Sequence, residues 1–126
     1  MAEGDVRVLL VEDDEDNREL MTEVLEAAGY HVFSAAGGAE GLKALAEQEV
    51  DVVVTDLSMP GMGGLEMARA AKKIAPRVPV IVVTGYAERE DVASARGREV
   101  DAVLVKPVDP DSLAAAVGDM ARGRAG

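Results

Sequence analysis

Four places along the chain carry polar residues whose types could do chemistry. An unbroken acidic run, Glu12-Asp13-Asp14-Glu15-Asp16, follows an apolar stretch that ends at Val11. Asp56 follows a second such stretch, Thr84-Gly85 a third and Lys106-Pro107 a fourth. Carboxylates crowded together repel, and one must take up a proton unless a cation neutralises them. One lysine cannot balance three acids. A hard divalent cation with oxygen ligands can, and Mg2+ suits a partly hydrated site of about two carboxylates plus substrate oxygens. An aspartate beside Mg2+ and an ammonium can also attack phosphorus and yield an aspartyl phosphate. Such a transfer requires mainly positioning and charge neutralisation, which a dication, a lysine and a hydroxyl or backbone N–H supply. The turn-rich segment Leu57-Ser58-Met59-Pro60-Gly61-Met62-Gly63-Gly64 can aim a carbonyl and amides at such a site.

Taken singly, these residues have ordinary explanations. Acids at a helix start are usually caps or partners of the helix dipole, and Asp14 and Asp16 are read that way. Asp56 alone would be a turn former, Lys106 a solvated strand end and Thr84 a turn hydroxyl. Glu12 and Asp13 directly abut an apolar strand and are expected to be partly buried. The weight lies in the combination, and that depends on the elements bringing these positions to one place.

Five short runs rich in β-branched residues stand out: Val6–Val11, His31–Ala35, Val50–Thr55, Val80–Val83 and Ala102–Val105. The first, third and fourth are nearly continuous Val, Leu and Ile, as strands buried on both faces are. Helical spacing fills the gaps. Leu20, Met21, Val24, Leu25 and Ala28 form one stripe, closed by Gly29. Leu42 and Leu45 mark a second helix, and Leu65, Ala68, Ala71 and Ile74 a third that stops before Pro76. Arg89–Arg96 is the weakest helix, expected to be lightly buried and mobile. Leu113, Val117 and Met120 mark the last, with Asp109 as N-cap and Pro110 at its first position. Strand and helix alternate five times without a linker, which argues for one α/β domain over 1–126, core about 6–121. A doubly wound parallel sheet of order 2-1-3-4-5 follows from right-handed crossovers. All the polar residues above then lie on one edge, where open α/β sheets bind ligands, with Asp13 and Asp56 facing each other.

Composition narrows the function. The chain has 126 residues, long enough to bury a core unaided. Its net charge of −11 speaks against nucleic-acid binding. The absence of cysteine excludes a disulfide framework and thiolate metal sites, and suits a cytoplasmic location. No apolar run is long enough to span a membrane, and Met1–Asp5 does not read as a signal peptide. Only Tyr30, Phe33 and Tyr86 are aromatic, which disfavours a flavin or base-stacking site.

The motifs Val-Glu-Asp-Asp at 11–14, Thr-Asp-Leu-Ser-Met-Pro-Gly-Met at 55–62, Val-Thr-Gly at 83–85 and Val-Lys-Pro at 105–107 resemble the receiver domain of bacterial two-component response regulators. The resemblance runs from about Val6 to Met120 and implies a flavodoxin-like receiver architecture. It implies that Asp56 accepts a phosphoryl group from the phosphohistidine of a sensor histidine kinase or phosphotransfer protein. By the same resemblance, Asp13 binds Mg2+ directly, Glu12 through water, and the Ser58 backbone carbonyl completes the protein ligands. Lys106 and Thr84 would hold phosphoryl oxygens, and the Lys106–Pro107 peptide would be cis. Three departures from the family pattern stand out. Val103 replaces a usual Tyr or Phe, with Tyr86 as a candidate substitute. Glu99-Val100 replaces a Gly-Ala pair, with a glycine earlier at Gly97. Gly63 replaces a frequent Asp.

Several functions compete. A phosphatase of the haloacid dehalogenase class would place an Asp where Ser58 stands, and would carry a cap domain. A flavodoxin relative would place a phosphate-cradling loop where five acids stand. A non-phosphorylated interaction module would not need Glu12, Asp13, Asp56, Thr84 and Lys106 all together. The expectation is a phospho-accepting switch rather than an enzyme, acting alone or as a module of a hybrid kinase or larger regulator. Its signal would pass through residues 84–108.

Overall fold

The computed structural model describes residues 6–85 and 90–125. Strands β1 (Arg7–Val11), β2 (His31–Ala35), β3 (Val52–Asp56), β4 (Val80–Thr84) and β5 (Ala102–Val105) alternate with helices α1 (Glu15–Ala27), α2 (Gly38–Glu47), α3 (Gly64–Ile74), α4 (Glu90–Ala95) and α5 (Pro110–Ala125). The strands form one sheet in the order β2-β1-β3-β4-β5. Every pairing is parallel. The apolar runs at β1, β3 and β4 are the three interior strands, while β2 and β5 form the more exposed edges.

Side chains alternate across this sheet with period two, and each face carries its own core. Leu9, Val11, Val53, Val80 and Val82 pack against Leu45 of α2, Leu65, Met67, Ala68 and Ala71 of α3, and Val92 and Ala95 of α4. Val8, Leu10, Val52, Val54, Ile81 and Val83 pack against Leu25 of α1 and Leu113 and Val117 of α5. Tyr30 joins that second core and donates its hydroxyl to the Ala114 carbonyl at 3.1 Å, tying the end of α1 to α5.

Local chemistry sets the helix ends. Asp14 caps α1 by accepting from the Asn17 N–H at 2.9 Å. At the other end Gly29, at φ 97°, closes the helix with its N–H on the Glu26 carbonyl and the Tyr30 N–H on the Leu25 carbonyl. Asp109 caps α5 through the Ser112 N–H at 3.0 Å, with Pro110 at the first helical position.

The structure departs from the sequence pattern in places. β3 starts at Val52 rather than Val50 and runs on through Asp56, and β4 runs on through Thr84. Both polar residues are therefore strand residues held by the ladder, not the first residues of loops. Leu20 is exposed, since it lies about 140° around the helix from Leu25. Ile74 is also exposed, as the last residue of α3, whereas Met67 is fully buried and fills the space beside Gly41. Val92 and Ala95 of α4 are buried rather than lightly covered, because their i, i+3 spacing puts both on the core-facing side. Arg89 and Tyr86 lie outside the described residues.

Candidate functional site

Parallel pairing brings the C-terminal ends of β1, β3, β4 and β5 to one edge. In β1 the sheet register extends one residue further, as the Glu12 N–H donates to the Ala35 carbonyl at 3.0 Å. Glu12 is thereby drawn to 3% exposure. Asp13 is exposed, contrary to the expectation that both would be partly buried, because the chain leaves the sheet after Glu12. Asp56, 8% exposed, ends β3 opposite Val83. One carboxylate oxygen from each of Glu12, Asp13 and Asp56 lies within 4.8 Å of the other two. The sequence-derived cluster is therefore assembled.

Lys106 reaches this cluster from the end of β5, with its Nζ 2.7 Å from Asp56 Oδ1. Its backbone N–H donates to the Thr84 carbonyl at 2.9 Å, and the Lys106–Pro107 peptide is cis. Thr84 is buried. With Leu57, Ser58 and Gly85, the side chains of Asp56, Thr84 and Lys106 line an open cleft of about 360 Å³. All six site residues named from the sequence thus lie at this edge, with Ser58 exposed on the loop after β3.

Electrostatics mark the site as short of positive charge. Burial, reinforced by the Asp56 charge, pushes the Glu12 carboxyl above its ordinary range despite a hydrogen bond from the Asn17 side chain. One of its oxygens, Oε2, is buried and has no hydrogen-bond partner among the described residues. Burial also opposes the Lys106 charge, but the Asp56 hydrogen bond and the charges of Asp56, Glu12 and Asp13 outweigh it and hold the ammonium above its usual range. A buried carboxylate oxygen with no donor, beside two further carboxylates, is what a hard cation satisfies. The residues fit a divalent ion of the Mg2+ kind.

Two supporting residues were not singled out from the sequence. Gly64 opens α3 directly beneath Asp56, where a Cβ would stand 2.3 Å from the Asp56 carbonyl oxygen and 2.8 Å from the Leu57 Cα. Its N–H donates to the Leu57 carbonyl at 2.8 Å. The signal was present as the Gly63-Gly64 pair, but sequence alone does not reveal which glycine faces backbone. Arg18 donates to the Glu12 carbonyl from α1 at 2.9 Å. Of the three departures, Val103 is half-buried against the core that carries α4. Around Glu99-Val100 the corner is rebuilt: Gly97 turns at φ 85° and donates to the Val100 carbonyl, Val100 is fully buried, and Arg69 of α3 binds Glu99 at 3.0 Å. Gly63 keeps an extended φ of −75° as the residue before α3.

Residues 8–118 match the family model described as the response regulator receiver domain. The chain belongs to this family. It is a receiver domain of two-component systems, a regulatory family. Over 111 residues it is 32% identical to sporulation initiation phosphotransferase F of Bacillus subtilis, covering 88% of this chain and 90% of that protein. It is 37% identical over 119 residues to the transcriptional regulatory protein GlrR of Escherichia coli, covering 94% of this chain but 27% of GlrR. The receiver domain thus spans about a quarter of that regulator's length. Among solved structures, the response regulator TrrA of Thermotoga maritima, in complex with Mg2+ and BeF, superposes with a TM-score of 0.82 at 32% identity, covering 91% of this chain and 98% of that one. No helix among the described residues is long and apolar enough to cross a membrane.

Proposed function

We propose that Asp56 is the phosphoacceptor of this receiver domain and that Glu12, Asp13, Asp56 and the Ser58 carbonyl hold Mg2+, Glu12 through water. The observation that carries this reading is the Asp56 carboxylate itself. It is nearly buried, gripped at 2.7 Å by Lys106 and within 4.8 Å of oxygens from two further acids. TrrA, with 32% identity, was solved with Mg2+ and BeF. Mg2+, when bound, would offset the negative charge on the carboxylates and on the phosphoryl oxygens.

The protein's own groups do the rest. An Asp56 carboxylate oxygen forms a bond to phosphorus while the P–N bond of a phosphohistidine breaks and its electron pair returns to the imidazole nitrogen. Lys106, kept charged by the surrounding acids, exchanges its grip on Asp56 for a phosphoryl oxygen, and the Thr84 hydroxyl donates to another. Loss of the group is the same site working on water, whose oxygen attacks phosphorus and releases phosphate from Asp56. The donor is a sensor histidine kinase or phosphotransfer protein in the cytoplasm. With a net charge of −11, the chain's output is a protein contact rather than nucleic-acid binding. The whole chain serves as a single receiver unit with its core over about 6–121.

Intact-mass measurement after incubation with Mg2+ and a small phosphodonor tests this directly. One phosphoryl group is expected on the wild type, none without Mg2+ and none on Asp56→Ala. An equally modified Asp56→Ala protein refutes the assignment.

A further inference from the structure

The turn between β1 and α1 carries two of the three clustered carboxylates, and several of its backbone groups have definite partners. The Glu12 N–H goes to the Ala35 carbonyl of β2. The Asn17 N–H goes to the Asp14 side chain. The Glu12 carbonyl goes to Arg18, whose Nη1 lies 2.9 Å from it and 3.5 Å from the Asp13 carbonyl. Arg18 is half-buried and reaches back from the first turn of α1 over both acidic residues. Among the described residues its hydrogen bonds run to carbonyl oxygens and not to the carboxylates, which stay available as ligands.

We propose that Arg18 is a positioning residue for the divalent cation: by holding the Glu12 and Asp13 carbonyls it fixes the peptide from which both carboxylates project towards Asp56. This rests on the reading that Glu12, Asp13 and Asp56 hold that cation. The two effects a guanidinium has here differ in sign. As a charge it repels a dication, so its removal strengthens cation binding. As a clamp it orders the turn in advance, so its removal leaves the ligands to be ordered at the moment of binding and weakens it. The clamp dominates, because one short bond to a partly buried carbonyl is directional, whereas the repulsion is softened by the negative charge of the clustered carboxylates and by solvent.

Mn2+ binding to the full chain, followed by electron paramagnetic resonance, separates the two. The wild type is expected to bind Mn2+, and Asp13→Asn to lose most of that binding. Arg18→Met is expected to weaken it about tenfold, the scale seen when groups that orient metal ligands are removed, while its metal-free melting temperature changes far less than its affinity. An Arg18→Met protein that binds Mn2+ as tightly as the wild type, or more tightly, overturns the clamp and leaves the cation reading standing. A wild type that does not bind Mn2+ overturns the cation reading and the clamp with it. Should Arg18→Met not fold, Arg18→Ala gives the same two outcomes, since it too removes both the charge and the donor and suits a helix.

Discussion

Glu12 sits where the needs of folding and of the site conflict. Its carboxyl group is buried, that burial and the Asp56 charge push its pKa above the ordinary range, and one oxygen has no partner among the described residues. A group whose folded pKa is raised contributes stability that is complete below its unfolded value, about 4.3, and is lost as pH rises through the folded value. The metal-free protein therefore loses stability from this residue as pH climbs from about 4 towards neutrality. Glu12→Gln is isosteric and does not ionise. Without divalent cations it is expected to melt above the wild type at pH 7, with the gap closing near pH 4. Mg2+ at pH 7 should then raise the wild-type melting temperature more than that of the variant. Parallel pH profiles for the two proteins would show that Glu12 carries no such burden. Its neighbour Asp13 is exposed, yet its carboxylate stands in the same cluster.

Among the elements, β3 and α3 do most to place Asp56, the proposed phosphoacceptor. Ladder pairing holds Asp56 against β4, with the Leu57 N–H on the Val83 carbonyl at 3.0 Å. Helix α3 begins so close to this backbone that Gly64 has no room for a side chain. Gly64→Ala must displace either the helix or the Asp56–Leu57 peptide, at a cost of about 2 kcal/mol in the range of core overpacking. It is also expected to slow phosphoryl transfer to Asp56, because the carboxylate moves with its peptide. Gly63→Ala is the control. Its Cβ would meet only the Leu57 carbonyl at 3.6 Å, and losing glycine at an N-cap costs below about 1 kcal/mol. Urea midpoints and phosphorylation rates for the pair check this, and equal effects from both substitutions would contradict the close-contact account. The C-terminal half of α3 has a different task. Arg69 binds Glu99, and Lys72 binds Asp101, which also accepts the Val80 N–H at 2.8 Å. These ties fasten α3 to the segment that leads into β5.

For the whole molecule, the site lies where three strands and one edge meet, and a change there has a limited set of exits. Phosphorylation at the proposed acceptor, Asp56, would replace its single carboxylate charge with a phosphoryl group carrying roughly −1.5 to −2. Thr84 and Lys106 are the groups that lining the same cleft makes responsive, and both stand at the ends of β4 and β5. Val103, where the family pattern has an aromatic ring, offers little bulk to swing, so the response is expected as a population shift of the β4 end, α4 and β5 together. Hydrogen exchange with Mg2+ and beryllofluoride should change at Thr84, Gly85 and residues 90–108, while the α1–β2 side stays as it was. Exchange unaltered in those segments would place the output elsewhere. The amino-acid sequence by itself determined which stretches are strands, because interior parallel strands must be apolar on both faces, and it singled out the acids, lysine and threonine by their positions at strand exits. It also announced the caps at Asp14, Gly29 and Asp109, since capping chemistry is local. Only the tertiary structure decided that Asp56 and Thr84 are ladder residues, that α4 buries both its apolar side chains, that Gly64 rather than Gly63 meets backbone, and that Arg18 holds the acidic turn. Each of those depends on distances between elements far apart along the chain, and spacing along one segment carries no information about what another segment brings up against it.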